Sequence, residues 1–82
     1  MKWDKRGSIQ SRELGNRIRS RREELNLTQE RLGELSGLHR TYIGHLERGE
    51  INPSLLNILK VAAALKIDAG ELGADPTVGG PT

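Results

Sequence analysis

The sequence predicts an all-α domain, a compact bundle of five short helices around one small core. Three observations predict it. Apolar residues recur at three- and four-residue steps along most of the chain. Asn, Gly, Ser, Thr and Asp fall where helices start and stop. No strand-like alternation of useful length interrupts the pattern. The 82 residues allow one domain. A core of that size is marginal, so support from a partner subunit is expected.

Residues 1–10 lack helical periodicity and are expected to form a flexible arm. The first helix is expected over Ser11–Leu25, with Leu14, Ile18 and Leu25 on one face and Asn26 at its left-handed stop. The second starts at the Thr28 cap, carries Glu30 in its first turn and ends at Ser36 before Gly37. The third runs over Arg40–Arg48 with His39 at its cap and Gly49 as its end. Asn52-Pro53 forces an extended turn. The fourth starts at the Ser54 cap, and Leu55, Ile58, Leu59, Ala62 and Leu65 mark its buried face. A short fifth helix is expected after Asp68, with Glu71 completing a capping box. The domain therefore spans 11–72. Residues 73–82, GADPTVGGPT, are rich in Gly and Pro and are expected to form a flexible tail.

The second and third helices are joined by Gly37, Leu38 and His39 alone, which is the spacing of a helix-turn-helix. Gly33 lies on the inside of the second helix, where a larger side chain would push the third away. Gly37 takes the positive φ of the turn. Leu32, Leu38, Ile43 and Leu46 close a small core between the helices.

Charge is unevenly spread. Residues 1–27 hold eight Lys/Arg against four Asp/Glu, a balance of +4, so with a total of +2 the rest sums to −2. Such asymmetry suits either a polyanion-facing region or a solvated amphipathic helix. The chain has no Cys, so no disulfide framework or thiolate metal site is expected. It has no HExxH, no phosphate-binding Gly loop and no GxSxG. Its two histidines, His39 and His45, have no carboxylate evidently placed to complete a site with them. An enzyme is not expected, nor a metal, cofactor or small-molecule ligand. No apolar run approaches the roughly 18 residues of a bilayer span, and no apolar stretch follows the basic N-terminus as in a secretory signal. The expected location is cytoplasmic, with no membrane partner.

Residues 14–72, through the series TQ…L…SGL…YI…LERG…NPSL, resemble the lambda-repressor-like, or XRE-type, helix-turn-helix family. Within it, GLHRTYIGHLERGE is similar to the controller proteins of restriction–modification systems. The resemblance implies a five-helix bundle that binds a palindromic double-stranded operator as a homodimer. It places His39, Arg40, Thr41, Gly44 and His45 at base-reading positions of the third helix. Arg can bond bidentately to guanine, and Thr offers a hydroxyl and a methyl to thymine. The missing side chain of Gly44 would let a base edge approach. Phosphate contacts are implied for Thr28, Gln29, Tyr42, Arg48 and Asn52, with Arg17 adding another from the first helix. A helix N-terminus, as at Thr28 and Gln29, attracts anions. Arg22 and Glu47 resemble the family's structural ion pair. Leu56, with Ile67 and Leu72 near it, is expected at the subunit interface.

One departure is local. Related sequences often carry basic residues after ERG, whereas here Glu50 and Ile51 follow. An acid there weakens phosphate attraction. The same fold also serves as a protein-binding adaptor or antitoxin. Salt-dependent DNA binding by the isolated protein separates the two.

Overall fold

The computed structural model describes the backbone of residues 9–73 and the side chains of 11–73. The rest of the expected arm and tail, 1–8 and 74–82, lies outside the described residues. The first helix, α1, covers Ile9–Glu24, beginning two residues before the expected Ser11. It stops at Asn26, φ 57°, where the N–H of Leu27 reaches Arg22 O at 3.0 Å and that of Asn26 reaches Glu23 O at 3.0 Å. This pair of bonds is a Schellman motif, and Asn tolerates its left-handed position.

The next helix, α2, covers Gln29–Ser36, and the Thr28 hydroxyl accepts from the N–H of Arg31 at 2.9 Å. Gly37, φ 78°, then turns the chain. A Cβ on Gly33 would stand 2.6 Å from Leu38 O and 3.2 Å from Arg40 N, so this glycine sets how closely the two helices approach. After the turn, α3 covers Arg40–Glu47. His39 caps it by an unusual route, its Nδ1 accepting from the N–H of Thr41 at 3.0 Å. A second Schellman motif ends α3 at Gly49, φ 71°. Here Glu50 N–H bonds His45 O at 3.0 Å and Gly49 N–H bonds Leu46 O at 3.1 Å.

The last α-helix, α4, covers Leu55–Leu65 behind the Ser54 cap and ends at Lys66, φ 59°. The expected fifth helix is only a single 3₁₀ turn, Ala69–Leu72. The Asp68 cap and the left-handed Gly73 confine it to four residues, too few for α-type bonds to accumulate. The capping box forms as expected, with the Asp68 N–H donating to Glu71 Oε2 at 3.0 Å.

The core gathers Leu14, Ile18, Leu32, Ile43, Leu46, Ile58, Val61, Ala62, Leu65 and Leu72, drawn from all five elements. Two expectations about α4 are corrected. Leu55 and Leu59 are exposed, and Val61 fills the core in their place. Apolar residues cover more than half of this helix, so periodicity does not say which stripe turns inward. Leu72, expected at a subunit face, is 2% exposed. The 3₁₀ turn folds it back against α1 and α4. Among the described residues no helix is long and apolar enough to cross a membrane.

Candidate nucleic-acid interface

Two of the four faces of α3 are spent on the fold. Ile43 and Leu46 enter the core, and Glu47 turns toward α1. Helical geometry then leaves Arg40, Thr41, Gly44, His45 and Arg48 together on the opposite side. Arg40 and Thr41, in the first turn, are exposed. Arg40 lies beside Glu30 of α2, Nη1 to Oε2 3.5 Å, an exposed pair that water and salt screen. His39 caps the helix through Nδ1, which directs its neutral-form Nε2–H outward.

The space expected at Gly44 is occupied in the free protein. A Cβ there would meet Arg48 Nη1 at 3.1 Å and Gln29 Oε1 at 3.6 Å. Two long side chains cover the glycine, so its backbone does not face a base edge directly. The covering atoms are the ends of flexible side chains and can move.

Gln29 begins α2, and its side-chain amide donates to Glu47 Oε1 at 3.0 Å. One amide hydrogen is thereby committed inward. The other, with the first-turn backbone N–H groups that the Thr28 hydroxyl does not take, is the kind of donor set an anion meets at a helix start. Tyr42 is half-buried, and its hydroxyl accepts from the Asn57 side chain at 3.1 Å. That bond leaves the phenolic proton as the donor that a phosphate oxygen needs. Nothing in the sequence marks Asn57, because its contact with Tyr42, 15 residues away, exists only once the fold brings the start of α4 beside that ring. Asn52 accepts from the Ser11 hydroxyl and ties the loop after α3 to α1.

Arg17 is not brought to this surface. It lies in the groove between α1 and the 3₁₀ turn, beside Asn16, Ser20, Ile67 and Glu71. Gly15 and Arg22, the α1 residues that meet Glu47, are on nearly the opposite side of the helix.

One buried ion pair joins α3 to α1. Glu47 and Arg22 have side chains 3% and 12% exposed, with Nε to Oε2 at 2.6 Å. A second bond runs from Arg22 Nη2 to Glu47 Oε1 at 3.1 Å, and Nη1 reaches Leu27 O at 2.8 Å. With Gln29 on the same carboxylate, both oxygens of Glu47 are satisfied. The hydrogen bond to Glu47 raises the Arg22 pKa above its usual value, so the guanidinium stays charged despite burial. Close contact enforces the geometry. A Cβ on Gly15 would stand 2.5 Å from the carbonyl oxygens of both Leu46 and Glu47.

A carboxylate does stand by one histidine, contrary to expectation. Glu50 Oε1 is 2.7 Å from His45 Nδ1, and its Oε2 is 3.1 Å from Arg48 Nε.

A packed scaffold that presents an exposed, cation-bearing second helix after a tight turn defines a helix-turn-helix protein. Residues 18–72 match the helix-turn-helix family model, and the chain belongs to that family, in its XRE-type, lambda-repressor-like branch. The family is one of DNA-binding transcription regulators. Control protein C.SmaI of Serratia marcescens is 48% identical over 59 residues, covering 72% of this chain and 70% of that protein. The restriction-modification controller protein C.AhdI of Aeromonas hydrophila superposes with a TM-score of 0.77 at 48% identity, covering 79% of this chain and 98% of that one. The c2 repressor of Salmonella phage P22, solved in complex with a synthetic operator, superposes at 0.69 with 36% identity, covering 72% and 89%.

Proposed function

We propose that this chain is a transcription regulator of the restriction–modification controller kind, binding a palindromic operator in double-stranded DNA as a homodimer. The observation that carries it is the solvent face of α3, where Arg40, Thr41, His45 and Arg48 share one side of a helix oriented by a buried ion pair. Arg40 and Thr41 read base edges, with His39 and His45 beside them. Arg48, Tyr42, Thr28, Gln29 and Asn52 hold the backbone on either side. The relatives support the controller assignment by likeness. A regulator that acts by binding DNA would be cytoplasmic and nucleoid-associated.

The homodimer rests on α4. Leu55, Leu56 and Leu59 form an exposed apolar flank, and Leu56 is 60% exposed. Half-buried Ile67 belongs to the same assignment. A second copy covering this flank would present two α3 helices about 34 Å apart, one turn of DNA. Sedimentation should give a dimer at tens of micromolar, and Leu56→Lys should shift it to monomer. A wild-type monomer both free and on DNA would contradict this.

Selection of bound duplexes from a random pool, followed by footprinting, tests the function. The expected product is an inverted repeat protected on one face of the duplex. Recovery of no sequence, with no salt-dependent binding, would favour the protein-binding adaptor.

A further inference from the structure

The Schellman motif that ends α3 fixes more than the backbone. It brings residues 45 and 50 side by side through the bond from Glu50 N–H to His45 O, 3.0 Å. An apolar contact usually joins these two positions. Here the pair is His45 and Glu50. Glu50 uses both carboxylate oxygens, Oε1 on His45 Nδ1 at 2.7 Å and Oε2 on Arg48 Nε at 3.1 Å. Arg48 Nη2 also lies 3.3 Å from His45 Nδ1. One ring nitrogen cannot donate to Glu50 and accept from Arg48 together. The shorter contact, to a charged acceptor, puts the proton on Nδ1 and makes Glu50 the shared acceptor of both side chains. Hydrogen bonds from Arg48 and His45 hold the Glu50 carboxyl below the usual glutamate range. The cluster is half exposed, at 46% for His45 and 45% for Glu50, and contributes nothing to the core. Its two donors lie on the solvent face of α3, and Arg48 lies over Gly44.

Two oxygens of one anion, each taking a hydrogen bond from a different side chain, is the arrangement a bridging backbone phosphate would make. We infer that Glu50 is an internal stand-in for a DNA phosphate, holding Arg48 and His45 in the free protein and surrendering them when DNA binds. The inference rests on the DNA-binding reading above. It turns phosphate binding at this edge into an exchange. An unpaired arginine displaces a counterion from the duplex when it binds. Here the released Glu50 collects a cation from solution as Arg48 moves, which offsets that gain. The part of the loss that runs through Arg48 falls on every sequence alike, because a phosphate carries no sequence information. The salt dependence also becomes shallower than the count of phosphate contacts implies.

The test measures the full chain on the selected operator and on a scrambled duplex across a salt series. Wild type, Glu50→Gln, the double variant His45→Ala/Arg48→Ala and the triple variant are compared. Glu50→Gln should bind both duplexes about two- to tenfold more tightly at low salt. The slope of log K against log salt should steepen by about one per half-site. In the double-variant background, the same substitution should leave both quantities nearly unchanged. No gain in the wild-type background overturns the inference. An equal gain in both backgrounds also overturns it, because Glu50 would then act by direct repulsion of the duplex. If the wild-type chain binds neither duplex, the DNA-binding reading itself fails, whatever Glu50 does.

Discussion

Two acid–base clusters stand three residues apart at the end of α3, and they behave as opposites. Glu47 points inward, is 3% exposed and meets Arg22 and Gln29. Glu50 points outward, is 45% exposed and meets Arg48 and His45. The chemistry is the same, and the surroundings decide its use. In a dry site, losing one partner strands a charge, so the inner pair fixes where α3 lies. In a wet site, water replaces a lost partner at little cost, so the outer cluster can exchange its partners. The proposed reading role of α3 would use both, a rigid seat and a contact edge that can be given up to DNA.

The largest expected effect comes from breaking the inner cluster. Glu47→Ala leaves the Arg22 guanidinium buried and unpaired, and should cost about 3–5 kcal/mol of folding stability. Chemical denaturation checks this, and an unchanged midpoint would mean that the pair is a surface contact. Gly15→Ala attacks the same seat without touching a charge. Its methyl would press on two backbone carbonyls at 2.5 Å, so α1 and α3 must separate. A loss of about 1–3 kcal/mol is expected, with weaker operator binding among the molecules that remain folded.

The outer cluster should respond to acid and not to denaturant. The folded-state pKa of Glu50 is lowered, so the contacts of its carboxylate are present above the usual glutamate range and lost as pH falls through the lowered value. A carbon NMR titration should find the Glu50 carboxyl below an ordinary glutamate, and Arg48→Ala should move it back up. Glu50→Gln should leave the denaturation midpoint nearly unchanged. A large shift would erase the contrast between the two clusters.

Much of this architecture was legible because caps are local. Asn26, Thr28, Gly37, His39, Gly49 and Ser54 each act within a few residues of themselves, and each falls where expected. What depends on packing was not legible. Leu55 and Leu59 look as buried as Val61 until the neighbours of α4 are in place. Arg17 carries the right charge on a face that periodicity alone did not distinguish. Gly44 looked open because its cover comes from Arg48, a turn later, and Gln29, on another helix. The Arg22–Glu47 pair was visible only through family resemblance, since 25 residues separate its partners. The Glu50 cluster lay within reach of the sequence. The spacing of His45, Gly49 and Glu50 is that of a Schellman motif, which places the first and last together.

The central claim is that the outer face of α3 reads sequence while its edges grip the backbone. It is tested by measuring Arg40→Ala, Arg48→Ala and Gln29→Ala on operator and scrambled duplexes across a salt series. Arg40→Ala should cost about 1–3 kcal/mol per half-site on the operator and far less on the scrambled duplex, relaxing preference at one base pair. Gln29→Ala and Arg48→Ala should weaken both duplexes about equally. Equal proportional losses on the two duplexes for Arg40→Ala would make Arg40 a phosphate contact and contradict the account. No effect from any of the three would remove α3 as the reading element altogether.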